Sequence, residues 1–335
     1  MMLATALVIG ALSVQAIPQD LSTFLQSQMD FSEADLRHLA QGRVVTRKLR
    51  ADTDREIALV GVARLTTTKQ RFLAEFRSNG AILQSMHTTR FRTFSPNPDP
   101  DDLSDFTVTE GDLDALRQCR AGDCDVNVSE LVLSELQRLE KSPGAYPDQV
   151  STAVRAMLLD YVRRYLAEGD SALVVYNHKS RPLSLADGFR HLLGESPYLL
   201  EYVPELHHYL EVFPRDHLSD VEEFLYWTVE EFGMRPLTSV THATTFDQLS
   251  GPMPRALILL KQIYASHYFQ ASLKVLGLVT ESADPNETGL YLVYLDRSLF
   301  DTKLGGIKRR IAERELRQNL GSRLESIGRI FEEPR

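Results

Sequence analysis

Residues 304–331 carry apolar side chains at roughly helical spacing, and this segment constrains the fold more than any other. The apolar positions are Ile307, Ile311, Leu316, Leu320, Leu324, Ile327 and Phe331. Basic residues such as Lys308 and Arg309 occupy other faces, so the pattern predicts one long amphipathic helix. A helix of this kind is stabilised mainly by packing its apolar side, so a flat apolar partner must exist elsewhere in the chain.

The region before that helix predicts such a partner. Apolar or alternating stretches follow one another over residues 224–229, 237–246, 256–265, 266–279 and 289–295. Gly233 with Pro236, and later Asp284 with Pro285, mark turns between them. Short strands joined by tight turns are typical of an antiparallel meander. We therefore expect an α+β fold in which a curved antiparallel sheet packs on the long C-terminal helix.

The middle of the chain is predicted to be a large helical insertion at about residues 110–215. Its helical stretches are 110–118, 129–141, 148–168, 184–194 and 198–212, with one short buried strand at 172–176. Before it, residues 56–65 read as a strand, residues 66–80 as a capped helix and residues 94–105 as a proline-rich loop.

The first residues read as a targeting segment. An apolar stretch precedes Val14-Gln15-Ala16, a small-x-small cleavage pattern, and it is shorter than the roughly 20 residues that span a bilayer. We expect a signal peptide over 1–16, an N-terminal helical segment over 17–55 and one α+β domain over 56–335. The predicted location is secreted or periplasmic. A buried N-terminal helix is the alternative.

Two cysteines, Cys119 and Cys124, are the only ones in the sequence. A disulfide closing this short loop suits an oxidising compartment. The alternative is half of a metal site, but thiolate zinc sites usually need more ligands than one cysteine pair provides. We expect the disulfide and no metal.

Composition excludes some partners. The 335 residues include 46 acidic and 37 basic side chains, a formal charge of −9, which argues against nucleic acid binding because that binding depends on Lys and Arg. No Gly-x-Ser-x-Gly, His-Glu-x-x-His, Walker A or dinucleotide-binding pattern is present, so no cofactor is predicted.

Candidate site residues come from the predicted sheet. Read as one strand, residues 263–275 place His267 and Phe269 on an apolar face, with Tyr264 on the other face; His242 lies on a neighbouring strand and Trp227 on another. Two inward histidines can be hydrogen-bonded core residues, can orient a ligand, or can act in acid–base chemistry or metal binding. We predict Trp227, His242, Tyr264, His267 and Phe269 as ligand-binding cavity residues, with no catalytic residue assigned.

The order of elements resembles the helix-grip arrangement of the START-like (SRPBCC) superfamily. The resemblance covers residues 56–80 and 221–331 and leaves the helical insertion as an addition or lid. It implies an apolar cavity between the sheet and the C-terminal helix, which takes lipids, sterols or aromatic metabolites. The stretches around Cys119–Cys124 and residues 261–269 also look like those of uncharacterised exported bacterial proteins.

The resulting hypothesis is an exported protein that binds a hydrophobic small molecule or lipid between the sheet and the C-terminal helix. We expect a binding protein rather than an enzyme. Two alternatives stay open: an enzyme that acts on such a ligand through His242 and His267, and a protein-interaction module of the cell envelope.

Overall fold

The computed structural model describes most of the chain after the predicted signal peptide, and residues 1–16 lie outside the described part. The described ranges are 17–78, 80–120, 123–127, 130–140, 146–176, 182–215, 221–231, 235–247, 256–282, 284 and 286–332. None of the helices described has the length and apolar character needed to cross a membrane.

The strands are β1 Val45–Lys48, β2 Glu56–Leu65, β3 Thr88–Thr93, β4 Val175–Tyr176, β5 Leu183–Ser184, β6 Val221–Glu230, β7 Leu237–Phe246, β8 Ala256–Ala265, β9 Phe269–Thr280 and β10 Leu290–Phe300. The helices are α1 Gln19–Met29, α2 Glu33–Ala40, α3 Lys69–Ser78, α4 Glu110–Gln118, α5 Glu130–Glu140, α6 Tyr146–Glu168, α7 Leu185–Gly194, α8 Pro197–Tyr202, α9 Pro204–Val212 and α10 Gly306–Glu332. Two 3₁₀ turns cover Pro100–Leu103 and Gly169–Ala172.

Within the described residues, eight strands form one antiparallel sheet in the order β1-β2-β10-β9-β8-β7-β6-β3. The meander from β6 to β10 confirms the predicted antiparallel sheet, and α10 confirms the predicted C-terminal helix. The α+β class is therefore confirmed. The helical insertion runs from α4 to α9, between β3 and β6.

One face of the sheet packs on α10 and α3. Leu290, Leu292 and Tyr294 of β10 point to this side, where they form a core with Leu320 and Leu324 of α10. Gly61 of β2 lies directly under α10, because a Cβ atom there would come within 2.5 Å of Leu324 Cδ1. The contact between helix and sheet is therefore close at this point.

The prediction that one apolar stripe runs along all of α10 is wrong in its first half. Ile307 is 74% exposed and Ile311 is 44% exposed, whereas Leu324 is fully buried. At 3.6 residues per turn each residue advances about 100°, so Ile311 lies about 180° around the helix from Leu320. The approximate helical spacing in the sequence therefore grouped residues from two different faces of α10 as one apolar stripe.

The other face of the sheet packs on the helical layer, which consists of α1 and α4 to α9. Val60, Trp227, Val240 and Val293 point to this side and share one core with buried residues of α6 and α7. The sheet is therefore covered on both faces. The predicted N-terminal helical segment contains α1 and α2, and its basic end forms strand β1, which pairs with β2.

The predicted buried strand at 172–176 is shorter than expected. Gly169–Ala172 is a 3₁₀ turn, and only Val175 and Tyr176 pair, with β5. Val175 is 43% exposed. Some apolar residues here belong to the turn and pack in the helical layer. A short apolar run in a sequence does not distinguish this arrangement from a strand.

Candidate functional site

A pocket of about 590 Å³ opens between the helical layer and the sheet. Helices α7 and α9 and the 3₁₀ turn supply its walls, and β8 and β9 supply its floor. Its lining residues are Asp170, Ser171, Ala186, Phe189, Arg190, Leu193, Gly194, His207, Leu210, Glu211, Lys261 and Leu273. This volume lies within the range of about 300–1,000 Å³ that is typical of small-molecule sites.

The floor of the pocket holds a buried ion pair. Lys261 is only 4% exposed, and its Nζ donates to Asp170 Oδ1. The ammonium also faces the rings of Phe189, at 4.8 Å, and Tyr165, at 5.9 Å. Burial lowers the pKa of Lys261 below its usual range, and the contact with Asp170 opposes this shift.

His242 lies next to this pair and belongs to a second polar group. It is the β7 residue directly opposite Lys261 of β8. Its Nδ1 is 3.0 Å from Tyr165 Oη, and its Nε2 is 3.4 Å from Glu223 Oε2. Tyr209 in turn donates a hydrogen bond to Glu223. Burial lowers the pKa of His242, although Glu223 raises it.

The stability of the protein is expected to depend on His242 in mild acid. Because its pKa is lowered in the folded state, the unfolded state binds a proton first as the pH falls below the ordinary value of 6.5. The free energy of unfolding should therefore fall in this window, by up to about 1.4 kcal/mol per pH unit.

His242→Gln, which keeps a polar side chain opposite Tyr165, is expected to reduce that slope by up to one proton. Urea denaturation at a series of pH values measures it. Above about pH 7.5 the profiles of the wild type and the variant should run parallel. If the wild type and the variant lose stability equally steeply below pH 6.5, His242 does not cause the pH dependence.

The five predicted cavity residues do not line this pocket. Trp227 is fully buried on the helical side, where Nε1 donates to the carbonyl of Asp102 at 3.0 Å and the ring contacts Phe106. Phe269 begins β9 and its ring centroid lies 4.9 Å from that of Phe300. Their role as ligand contacts stays a prediction.

Tyr264 and His267 meet the segment that follows the disulfide. The structure joins Cys119 and Cys124, the pairing that the sequence favoured. Tyr264 Oη donates to the carbonyl of Asn127 at 3.2 Å, and His267 Nδ1 lies 2.6 Å from the carbonyl of Asp125. This corner thus ties the end of α4 to the sheet.

The reading of residues 263–275 as one strand is wrong. β8 ends at Ala265, and Ser266, His267 and Tyr268 form a hairpin turn in which Tyr268 has φ of 64°. No glycine, proline or asparagine marks this turn. His267 therefore lies in the hairpin, where its Nε2 is 2.5 Å from Asp112 Oδ1.

His242 and His267 are not brought together as a pair. Thr238 accepts a hydrogen bond from Ser266 at the hairpin, and His242 lies four residues further along β7. At about 3.3 Å per residue this is roughly 13 Å. Each histidine has its own carboxylate, so joint chemistry by the two has no geometric support.

The space between the sheet and α10 is not the expected ligand cavity. In the described residues it holds a polar cavity of about 20 Å³, enough for about one water molecule. Its lining includes Thr241, Gln262, Ser272, Lys274 and Arg323. The correction has a physical reason: Gly61 lets α10 approach closely, and polar side chains fill the remaining gap.

Lys261 was the residue that sequence analysis missed. It was not among the predicted cavity residues, although it directly follows an apolar run, Ala256-Leu257-Ile258-Leu259-Leu260. One charge inside such a run was the available signal, since a buried lysine needs a partner. Among the described residues no three His, Cys, Asp or Glu side chains converge as a metal site requires.

Comparison with known proteins adds little to this geometry. No family model and no curated protein matches the chain. Eight chains of solved structures match, among them the Zhui aromatase/cyclase from a Streptomyces species, at 12% identity and a TM-score of 0.25, covering 40% of this chain and 84% of that chain. A TM-score this low does not bear on function. The helix-grip-like description rests on the strand order and on α10.

Proposed function

We propose that this protein binds a hydrophobic small molecule in the pocket between the helical layer and the sheet. The observation that carries the proposal is the pocket itself, which has about 590 Å³ of space and an apolar wall. Phe189, Leu193, Leu210 and Leu273 form that wall, and burial of apolar ligand surface against it contributes about 25 cal/mol per Å².

The polar end of the ligand is proposed to lie at the floor, against Lys261 and Asp170. Sites for small molecules combine apolar walls with a few polar groups that fix orientation. The buried pair is such a group, because both side chains line the pocket and are held by each other. The ligand would therefore enter with its apolar part between α7 and α9.

Export is part of the proposal. The apolar stretch before Ala16 and the disulfide between Cys119 and Cys124 support an oxidising compartment outside the cytoplasm. Native mass spectrometry of protein purified from its own host tests both parts. We expect a chain that begins at residue 17 and carries a bound apolar molecule. A full-length chain with no adduct would count against both.

Gly194→Trp is expected to close the pocket. Gly194 lines the pocket at the end of α7, and a Cβ atom added there meets no atom within 4 Å, so the backbone tolerates a side chain. The affinity for N-phenyl-1-naphthylamine, an apolar fluorescent probe, should fall at least about tenfold, or about 1.4 kcal/mol. Fluorescence titration measures it.

Gly111→Trp is the matched control. Gly111 lies on α4, away from the pocket lining, and a Cβ atom there also meets open space. This variant should bind the probe as the wild type does. Equal affinities of all three proteins, or loss of binding in the control alone, would place the probe elsewhere and contradict the proposal.

A further inference from the structure

Lys261 is a buried lysine whose side chain also lines the pocket. It interrupts an apolar strand, points toward the helical layer with Leu259 and Ile263, and still lines the pocket. An ammonium group has three hydrogen-bond donors. Within the described part of the chain, Asp170 is the one acceptor that Nζ contacts. The remaining directions face aromatic rings and the pocket.

The surroundings make it easier for Lys261 to lose its proton than for an exposed lysine. Phe189 of α7 and Leu273 of β9 make the pocket apolar around Nζ, and desolvation lowers the pKa of the lysine. Asp170, with its side chain 31% exposed, lies where it can accept the proton that the ammonium gives up. A desolvated lysine amine is a nucleophile toward carbonyl compounds.

We propose that Lys261 forms an imine with an apolar aldehyde or ketone bound in the pocket. This inference rests on the proposed function, since it assigns a chemical class to the ligand of the same pocket. It adds a covalent step that simple binding does not require.

The step balances without any outside oxidant or reductant. Lys261 Nζ transfers one proton to the Asp170 carboxylate, and its lone pair then attacks the carbonyl carbon, forming a C–N bond. The attacking nitrogen, now positively charged, gives up one of its protons to the carbonyl oxygen, which yields a neutral carbinolamine. Asp170 then protonates the hydroxyl, the C–O bond breaks, and water leaves as the C=N bond forms.

The charges around the pocket favour a neutral ligand. Lys261 and Arg190 are offset by Asp170 and Glu211 in the lining. A carboxylate ligand would meet Asp170 at the floor and would be repelled. A carbonyl compound carries no charge, and its oxygen can accept a hydrogen bond from Nζ before reaction.

Reductive trapping tests this proposal on the wild-type chain. The protein is incubated with octanal and sodium cyanoborohydride, digested, and mapped by mass spectrometry. The imine is reduced to a secondary amine, so the modified lysine gains the mass of octanal less one oxygen atom. We expect Lys261 to be labelled at least about tenfold faster than Lys303, whose side chain is 76% exposed.

Variants separate the pocket reaction from ordinary surface labelling. Lys261→Arg should remove the fast label, Lys303→Arg should leave it, and Gly194→Trp should suppress it. If the wild type binds N-phenyl-1-naphthylamine but only exposed lysines are labelled, the imine proposal is overturned and the binding pocket stands. If Gly194→Trp changes neither probe affinity nor labelling, the pocket assignment itself fails, and this proposal fails with it.

Discussion

Glu56→Gln is expected to lower the free energy of unfolding by about 3–5 kcal/mol, the usual cost of breaking a buried ion pair. Glu56 of β2 is fully buried on the helical side, and Arg297 of β10 donates to it. His191 of α7 lies 3.0 Å away through Nε2. With the carboxylate gone, the buried guanidinium keeps its desolvation cost and loses its counter-charge. Urea denaturation followed by circular dichroism measures the change.

The control for this prediction is Glu33→Gln. Glu33 pairs with Arg37 on α2, but its side chain is 84% exposed. Exposed pairs contribute about 0–1 kcal/mol, so this variant should be nearly neutral. A double variant, Glu56→Leu with Arg297→Met, should recover much of the loss, because it removes both charges. Similar stability of Glu56→Gln and Glu33→Gln would contradict the buried pair.

Leu324→Ala is expected to lower the free energy of unfolding by about 3–5 kcal/mol, the range for deleting a buried leucine side chain. Leu324 is fully buried between α10 and the sheet, directly over Gly61. The truncation leaves a cavity at the closest point of contact, where the backbone of β2 has no side chain to fill it. Thermal and urea denaturation both report the loss.

Ile307→Ala on the same helix is the matched comparison. Ile307 is 74% exposed, and exposed substitutions usually change stability by no more than about 0.5 kcal/mol. The difference between the two variants therefore tests which face of α10 packs. A large loss from Ile307→Ala, with little from Leu324→Ala, would mean that the helix is rotated about its axis.

Local patterns were enough to predict most of the helices and the central strands. Helix α4 occupies 110–118, the range predicted for it; Thr109 caps it and acidic residues follow in its first turn. The meander was predicted because β6 to β10 are rich in apolar and β-branched residues. These signals need no knowledge of distant contacts.

The edge strands escaped prediction because they carry a different composition. β1 has the sequence Val-Thr-Arg-Lys and lies within the segment predicted to be helical, over 17–55. β3 has the sequence Thr-Thr-Arg-Phe-Arg-Thr. Both lie at the ends of the sheet, where one side of the backbone is unpaired and charged residues are common. Only their pairing with β2 and β6 makes them strands.

The site could be predicted only in part, because its position depends on contacts between elements that are distant in the sequence. The sequence indicated that His242 and Trp227 would be buried, and both are. The cavity was expected on the α10 side, and the larger one lies on the other face, because α10 approaches the sheet closely at Gly61. The position of His267 depends on the hairpin at Ser266 to Tyr268, which no turn residue in the sequence marks.

The pairing of β2 with β10 has a consequence for how the chain reaches its native state. Leu65 pairs with Leu290, so the sheet joins residues from near both ends of the chain. Contacts of such large sequence separation slow folding, because bringing distant segments together costs loop-closure entropy before the contacts can stabilise the fold. On the ribosome, β2 can pair with β1 early, but it cannot pair with β10 until β10 has emerged. Nascent chains should therefore stay protease-sensitive until synthesis is nearly complete, a condition that also suits translocation of an unfolded chain.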